Sequence, residues 1–250
     1  MFKTIRARLK QGYRTAPFPA GISVLPQRYL GKPIVNPGHL GCDRQACVDT
    51  CPTGAIGSVG GRTVIDLGKC IYCGACQKTC GGRVVTFTRD YRMACRQRQG
   101  LIVSDEPMPD TGQIRDRIRH IFGKSFKLRH VSAGGCNACE SDINVLGTLS
   151  YDLGRFGIQF TASPRHADGL VVTGPVTNNM RLALEKTYRA IPSPRLVIAV
   201  GACAISGGIY VNHAESNKGV DSIMPVDLYI PGCPPHPLTI LDGLVSIMRG

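Results

Sequence analysis

Four cysteines spaced Cys70-x2-Cys73-x2-Cys76-x3-Cys80 dominate the chemistry this sequence offers. They belong to a set of seven cysteines between residues 42 and 80, out of 12 in a chain of 250 residues. The spacing is the one that wraps a cubane iron–sulfur cluster, with three thiolates on one cluster and the fourth reaching across to a second. Structural zinc takes four ligands, usually as two separated pairs. Here a third ligand follows the first pair at once, and no second pair returns at finger spacing. The chemistry predicted is therefore the movement of single electrons. By the crossing rule, Cys70, Cys73 and Cys76 bind one cubane and Cys80 serves the other.

The companion run is His39-x2-Cys42-x4-Cys47-x3-Cys51-Pro52. It resembles the expanded ferredoxin run Cys-x2-Cys-x4-Cys-x3-Cys-Pro, with His39 where the first cysteine belongs. Crossing then completes cluster A from Cys70, Cys73, Cys76 and Cys51. Cluster B takes Cys42, Cys47, Cys80 and His39. An imidazole ligand removes one negative charge and raises the reduction potential. If His39 is an ordinary surface residue, two forms of cluster B stay open: a three-iron (3Fe-4S) centre, or solvent as the fourth ligand. Gly81 and Gly82 stand after Cys80, where a proline is usual.

Four more cysteines lie far apart: Cys136-x2-Cys139, Cys203 and Cys233. What must position them is the region from residue 126 onward, where short apolar strands (127–131, 158–161, 169–173, 196–200, 228–230) alternate with helical stretches (140–149, 178–190, 235–248). Buried Val/Ile-rich strands alternating with helices predict a parallel sheet with helices on both faces. Ligands in such sheets sit at the carboxyl ends of the strands, and there all four cysteines fall. Glycines flank each of them (Gly134, Gly135, Gly201, Gly232), allowing close backbone approach and amide donation to sulfur. Taken alone, each fragment also reads as a buried free cysteine, a common core residue.

The rest of the chain supplies organisation. Residues 1–38 are a basic N-terminal arm whose first 11 residues predict a short helix with Phe2, Ile5 and Leu9 on one side and Lys3, Arg6, Arg8 and Lys10 around the other. That helix is either a frayed terminus or a segment lying on a membrane surface or a partner. Residues 39–100 form the cysteine-dense domain, carrying a weak internal repeat of ligand run then short strand (55–56 and 84–87). Residues 91–101 read as an exposed basic helix containing a free Cys95. Residues 101–125 are a linker region, in which 104–113 is linker by composition and 114–124 is amphipathic. The last domain is 126–250. No apolar run nears the ~20 residues of a membrane span, and the start lacks a signal-peptide core, so a reducing cytoplasmic setting is expected, where many cysteines argue for metal rather than disulfides. Residues 1–130 hold 22 Lys and Arg against 8 Asp and Glu, the remainder 8 against 9. Anionic clusters compensate part of this charge. The rest suits an acidic partner or lipid headgroups, and no nucleic acid is expected.

The motifs GCNACE (135–140), SPRHADGLVVTG (163–174), GACAISGGI (201–209) and DLYIPGCPP (227–235) together resemble one family. It is the small, proximal-cluster subunit of membrane-bound energy-converting nickel–iron hydrogenases, formate hydrogenlyase included, homologous to the corresponding subunit of respiratory complex I (NADH-quinone oxidoreductase). The resemblance covers roughly 126–250, and CxxC in place of adjacent cysteines brings it nearer the hydrogenase branch. It implies an α/β flavodoxin-like domain without flavin, holding a proximal 4Fe-4S cluster on Cys136, Cys139, Cys203 and Cys233. The front half resembles the ferredoxin subunit of the same complexes, through Gly12 and Pro19 near the start and FTRDY (87–91) at the end. The chain thus resembles a fusion: a small α+β two-cluster ferredoxin-like domain followed by the flavodoxin-like one. Three 4Fe-4S clusters are implied, with one as a 3Fe-4S or His-ligated centre. The implied partners are a catalytic large subunit (hydrogenase or complex I-like), other membrane-complex subunits and an electron-donor protein, at the inner face of the cell membrane. Glu140 is a candidate for a proton path or for a helix N-terminal charge. Arg165 and His166 are candidate partner contacts. His120, His130, His213 and His236 show no ligand pattern. Competing readings are a complex I-like quinone module, a hydrogenase-related complex without nickel and, from the charge alone, a nucleic-acid-binding protein with structural iron–sulfur clusters.

Overall fold

The computed structural model of the protein describes residues 2–21, 25–36, 44–105 and 125–248. His39, Cys42 and the amphipathic stretch 114–124 lie outside the described residues. In chain order the elements are α1 (Phe2–Gln11), β1 (Pro33–Val35), α2 (Arg44–Asp49), β2 (Ile56–Val59), β3 (Arg62–Asp66), α3 (Ala75–Thr79), β4 (Val85–Phe87), β5 (Ile102–Val103) and β6 (Phe126–Ser132). There follow α4 (Ala138–Val145), β7 (Ile158–Phe160), β8 (Gly169–Thr173), α5 (Asn178–Ala190), β9 (Leu196–Val200), α6 (Ala202–Ser206), β10 (Leu228–Ile230) and α7 (Pro237–Met248).

The second half is a five-stranded parallel sheet in the order β10-β9-β8-β6-β7. Numbered from β6, this is 2-1-3-4-5, the flavodoxin-like doubly wound order, whose switch point falls between the first and third strands. Every residue of β8 and β9 is buried, because helices cover both faces. The alternation of the strands sorts their side chains into two cores. Leu170, Val172, Val197 and Ala199 join one; Val171, Ile198, Val200 and Ile230 join the other. Helix α5 closes the first face with Leu184, flanked by the half-buried Met180 and Tyr188. Helix α7 is apolar nearly all round, which needs cover on two sides. The sheet supplies one side, and Phe18 with Tyr91 and Ala94 joins the same core from the other.

The first half is built from small pieces. β1 pairs antiparallel with β4, and β2 with β3, to which β5 adds. The short helices α2 and α3 each carry a cysteine (Cys47, Cys76) and each end just before the next one (Cys51, Cys80). β2 begins five residues after Cys51 and β4 five residues after Cys80. The halves are not beads on a string. Cys76, Cys80, Met93 and Leu101 share one continuous core with Val131, Ile205 and Tyr229. Ser206 Oγ donates to the Gly68 carbonyl at 2.8 Å, and a methyl group on Gly68 would meet Ile205 Cγ2 at 2.7 Å.

Residues 91–101 do not form an exposed basic helix. They run extended across the edge strand β10, with Cys95 and Tyr229 exchanging backbone hydrogen bonds of 2.9 and 2.8 Å, and end in a 3-10 turn at Arg98–Leu101. An open strand edge needs a cover, and this segment provides it. Met93 and Leu101 are buried, while Arg98 forks onto Asp66 at 2.8 and 2.6 Å. Charged side chains spaced along a strap look, in sequence, like the polar face of a helix.

Leu170, wholly buried at the centre of the sheet, should be a stability determinant for both halves. Leu170→Ala is expected to cost about 2–5 kcal/mol, read as a drop in the midpoint of chemical unfolding.

Candidate metal centres

The carboxyl edge of the parallel sheet gathers the four scattered cysteines. Cys136 and Cys139 lie beyond β6, Cys203 is in the first turn of α6 three residues after β9, and Cys233 follows β10. Cys139 is held well above the ordinary thiol value, first by burial and then by the charges of Glu140, Cys203, Cys233 and Cys136. Cys203 is pushed up to about 11 by burial and by Cys233 and Cys136, while the Ile209 amide pulls it down. Burial and the charge of Cys136 also raise Cys233. Each sulfur therefore sits in the field of the others, although residues 136 and 233 are distant in sequence.

The backbone around these sulfurs leaves no room for side chains. A Cβ on Gly201, whose φ is +90°, would stand 2.6 Å from Cys139 Sγ, and one on Gly208 would stand 2.8 Å from Cys203 Sγ. Glycine is the residue that tolerates both the dihedral and the approach. Four soft thiolates in a glycine cradle, with an amide directed at one sulfur, fit an iron–sulfur cluster. Among the described residues, no three His, Cys, Asp or Glu side chains stand close enough to chelate one metal ion. A four-iron group takes its ligands at separate corners and accepts a wider set.

Glu140 completes this edge. It lies in the first turn of α4, 6% exposed, and Oε1 accepts hydrogen bonds of 2.6 Å from both Ser132 Oγ and Thr173 Oγ1. Burial opposes its ionisation, but those two hydroxyls, its own amide and the nearby His130 bring it below the usual carboxylate range. Ser132 and Thr173 end β6 and β8, the pair flanking the switch point. There a methyl group on Gly174 would collide with the Gly135 amide at 2.5 Å. The crevice that takes a phosphate in nucleotide-binding relatives of this topology is thus closed by backbone and holds a carboxylate instead. Arg165 and His166 lie just before β8, at the amino edge of the sheet, roughly 15 Å of strand away from the cysteines.

In the first half, Cys51, Cys70, Cys73 and Cys76 line one small cavity walled by Ile56, Ile65 and Phe87. Cys70 is pushed up to about 12 by burial and by the charges of Cys76, Cys51 and Cys73. Burial, with Cys73, Cys51 and Cys80, brings Cys76 to about 11. The Ala55 amide reaches Cys51 Sγ at 3.2 Å and the Tyr72 amide reaches Cys70 Sγ at 3.4 Å. Cys47 and Cys80 are fully buried beside each other. Burial pushes Cys80 up, but the amides of Val85 and Val84, the Cys47 thiol and the Gly82 amide outweigh it and lower its value. His39 and Cys42, the remaining candidates of that site, are outside the described residues. Cys95 joins no set.

Several contributors escaped the sequence reading. Ser132 and Thr173 are polar residues closing apolar strands, and the Gly207–Gly208 pair that aims the Ile209 amide follows Cys203 closely. Both signals were present. His236, which shows no ligand pattern, packs against Tyr29 with ring centroids 5.2 Å apart.

Comparison with known proteins adds a relationship. The family profile described as NADH ubiquinone oxidoreductase, 20 Kd subunit, matches residues 136–247. A probable membrane-bound hydrogenase subunit of Pyrococcus furiosus is 45% identical over 128 residues, 51% of this chain and 77% of that protein. An NADH-quinone oxidoreductase subunit of Desulfovibrio desulfuricans is 43% identical over 115 residues, 46% of this chain and 62% of its own length. Among solved structures, a chain of an archaeal membrane-bound sulfane sulfur reductase matches 53% of this chain and 73% of its own at 36% identity, with a TM-score of 0.47.

Two outcomes follow. Gly201→Ala should lower the iron content by about four atoms per chain and leave any signal from the cysteines of the first half unchanged, as checked by iron analysis and EPR. For the metal-free chain, the folded thiols of Cys70, Cys76 and Cys203 keep protons that the unfolded chain loses above the ordinary value of 9.0. Stability should therefore fall as pH rises from about 9 toward about 11, seen as a declining unfolding midpoint.

Proposed function

This chain belongs to the NADH ubiquinone oxidoreductase 20 Kd subunit family, and from that membership we propose that it is the iron–sulfur electron-transfer subunit of a membrane-associated oxidoreductase complex of the energy-converting nickel–iron hydrogenase type. The observation that carries the reading is the convergence of Cys136-x2-Cys139 with Cys203 and Cys233 on the carboxyl edge of the sheet. When bound, 4Fe-4S clusters supply centres that accept and release one electron each. Three are proposed: a proximal one on Cys136, Cys139, Cys203 and Cys233; cluster A on Cys51, Cys70, Cys73 and Cys76; and cluster B on Cys42, Cys47 and Cys80 with His39. The first half is proposed as a two-cluster ferredoxin-like domain fused ahead of the family domain.

The protein's own groups hold and tune these centres. Amides of Ile209, Ala55 and Tyr72 donate toward ligand sulfurs, which stabilises thiolate charge. The Glu140 carboxylate places a fixed anion beside the proximal set. Nothing among the described residues forms a substrate-activating set of nucleophile, base and oriented partner, so the chemistry of hydrogen or quinone is assigned to a catalytic large subunit. Its contact surface is proposed at Cys136, Cys233, Ile209 and Tyr210, all exposed at the proximal edge. Electrons from a donor protein enter through the first half. No described helix is long and apolar enough to cross a membrane. Attachment is proposed as peripheral, at the inner face, through α1, where Phe2 and Leu9 stand exposed among Lys3, Arg6, Arg8 and Lys10.

The alternative is a complex I-like module that reduces quinone, favoured by the 43% identity to an NADH-quinone oxidoreductase subunit. The CxxC spacing at Cys136 supports the hydrogenase type. Native complex, captured through a tag on this chain, should contain nickel and evolve hydrogen from reduced viologen. Loaded clusters without nickel or hydrogen, together with quinone reduction, would transfer the assignment to the alternative.

A further inference from the structure

A groove of about 450 Å³ lies between the two halves, with Tyr29, Tyr72, Pro234 and His236 among its walls. Its position is informative. Tyr72 precedes Cys73 and Pro234 follows Cys233, so the groove touches the chain neighbour of one ligand from cluster A and of one from the proximal set. Cys73 and Cys233 are themselves exposed, whereas Cys70 and Cys76 are buried. The space that separates these two sets is therefore bounded by this groove.

Tyr29 lines it, and the N-terminal arm that delivers Tyr29 is clamped. The Gly31 amide donates to Thr88 O and the Lys32 amide to Asp90 O, both at 2.8 Å, and the Arg89 guanidinium holds the Pro26 carbonyl at 3.1 Å. On the cluster A side, Leu30 Cδ1 packs against Gly74, 3.0 Å from where a methyl group would stand, and Gly74 follows Cys73. On the proximal side, the Tyr29 ring meets His236 edge-on with centroids 5.2 Å apart, and its hydroxyl lies 3.4 Å from Thr239 Oγ1. His236 is three residues beyond Cys233. Burial lowers His236 from the ordinary histidine value and raises Tyr29. Both rings are thus neutral near pH 7 and put no charge into the gap.

Electron tunnelling falls steeply with distance and is faster through packed atoms than across a water-filled gap. We propose that Tyr29 is a positioning residue for electron exchange: its ring meets His236 on the proximal side while its chain neighbour Leu30 packs on Gly74 on the other, so that this piece of the arm bridges the space between the Cys51/Cys70/Cys73/Cys76 site and the Cys136/Cys139/Cys203/Cys233 site. This rests on the electron-transfer reading above. One electron lost at one site is gained at the other, with no bond made or broken and no proton moved.

The test uses the native complex carrying Tyr29→Ala, Tyr29→Leu or Tyr29→Phe. Iron analysis checks cluster loading. EPR of the fully reduced protein reads the magnetic interaction between the two clusters, and freeze-quenched EPR after a reducing pulse reads how fast they equilibrate. The expected result is full iron in all variants, slowed equilibration and altered magnetic splitting in the Ala and Leu variants, and native behaviour in Tyr29→Phe. Should the Ala variant fold poorly, Tyr29→Leu retains bulk and carries the same expectation. Equilibration as fast as native in a fully loaded Ala or Leu variant overturns the bridging role and leaves the electron-transfer reading intact. A native protein with no cluster signal at one of the two cysteine sets overturns both.

Discussion

Four sulfur atoms from three strand connections share a partly buried space, in which burial and the charge of neighbouring thiolates raise the proton affinity of Cys139, Cys203 and Cys233. Without a cation, such thiols remain protonated and repel further ionisation; a cluster core reverses the sign of every term. The glycines at 201 and 208 are the backbone expression of the same constraint, because a single methyl group at either would occupy the volume of a ligand sulfur. Sheet order, loop length and the closed switch point all serve this convergence.

The sheet accomplishes it through its carboxyl edge. In this topology ligands gather where neighbouring strands send their connections in opposite directions. The crevice here is sealed between Gly135 and Gly174, and Glu140 occupies it with hydroxyl donors from the two flanking strand ends. The neighbouring strands β9 and β10 are each followed, three residues on, by a cysteine, Cys203 and Cys233, on the same edge as the CxxC pair. The first half is held against this scaffold by a shared core, by the strap that covers β10, and by the N-terminal arm. Rigid docking of this kind matters for a relay, because exchange between fixed centres depends on a fixed gap.

Much of the second half was legible in sequence because its signals are local. Strands at 169–173, 196–200 and 228–230 and the helix at 178–190 stand at the predicted positions, since unbroken Val/Ile runs and a helical polar stripe leave few alternatives. Residues 91–101 misled because one-dimensional periodicity does not reveal that a basic segment will be used to cover a strand edge. The helix expected from 140 begins earlier, at Ala138, where Asn137 adopts a left-handed cap conformation that spacing does not encode. The cysteines of the site were identifiable by type and spacing, but Tyr29 and His236 were not. Their importance lies in a contact between residues 207 positions apart, and neither belongs to a motif.

The proposed relay depends above all on the cysteines of the sheet edge holding a cluster. Native mass spectrometry of the anaerobically purified chain tests this most directly. The predicted spectrum shows bound mass in whole units of four irons and four sulfides, with one such unit absent from Cys203→Ala. A chain carrying zinc or no metal, or a Cys203→Ala protein that keeps every unit of the native chain, would contradict it.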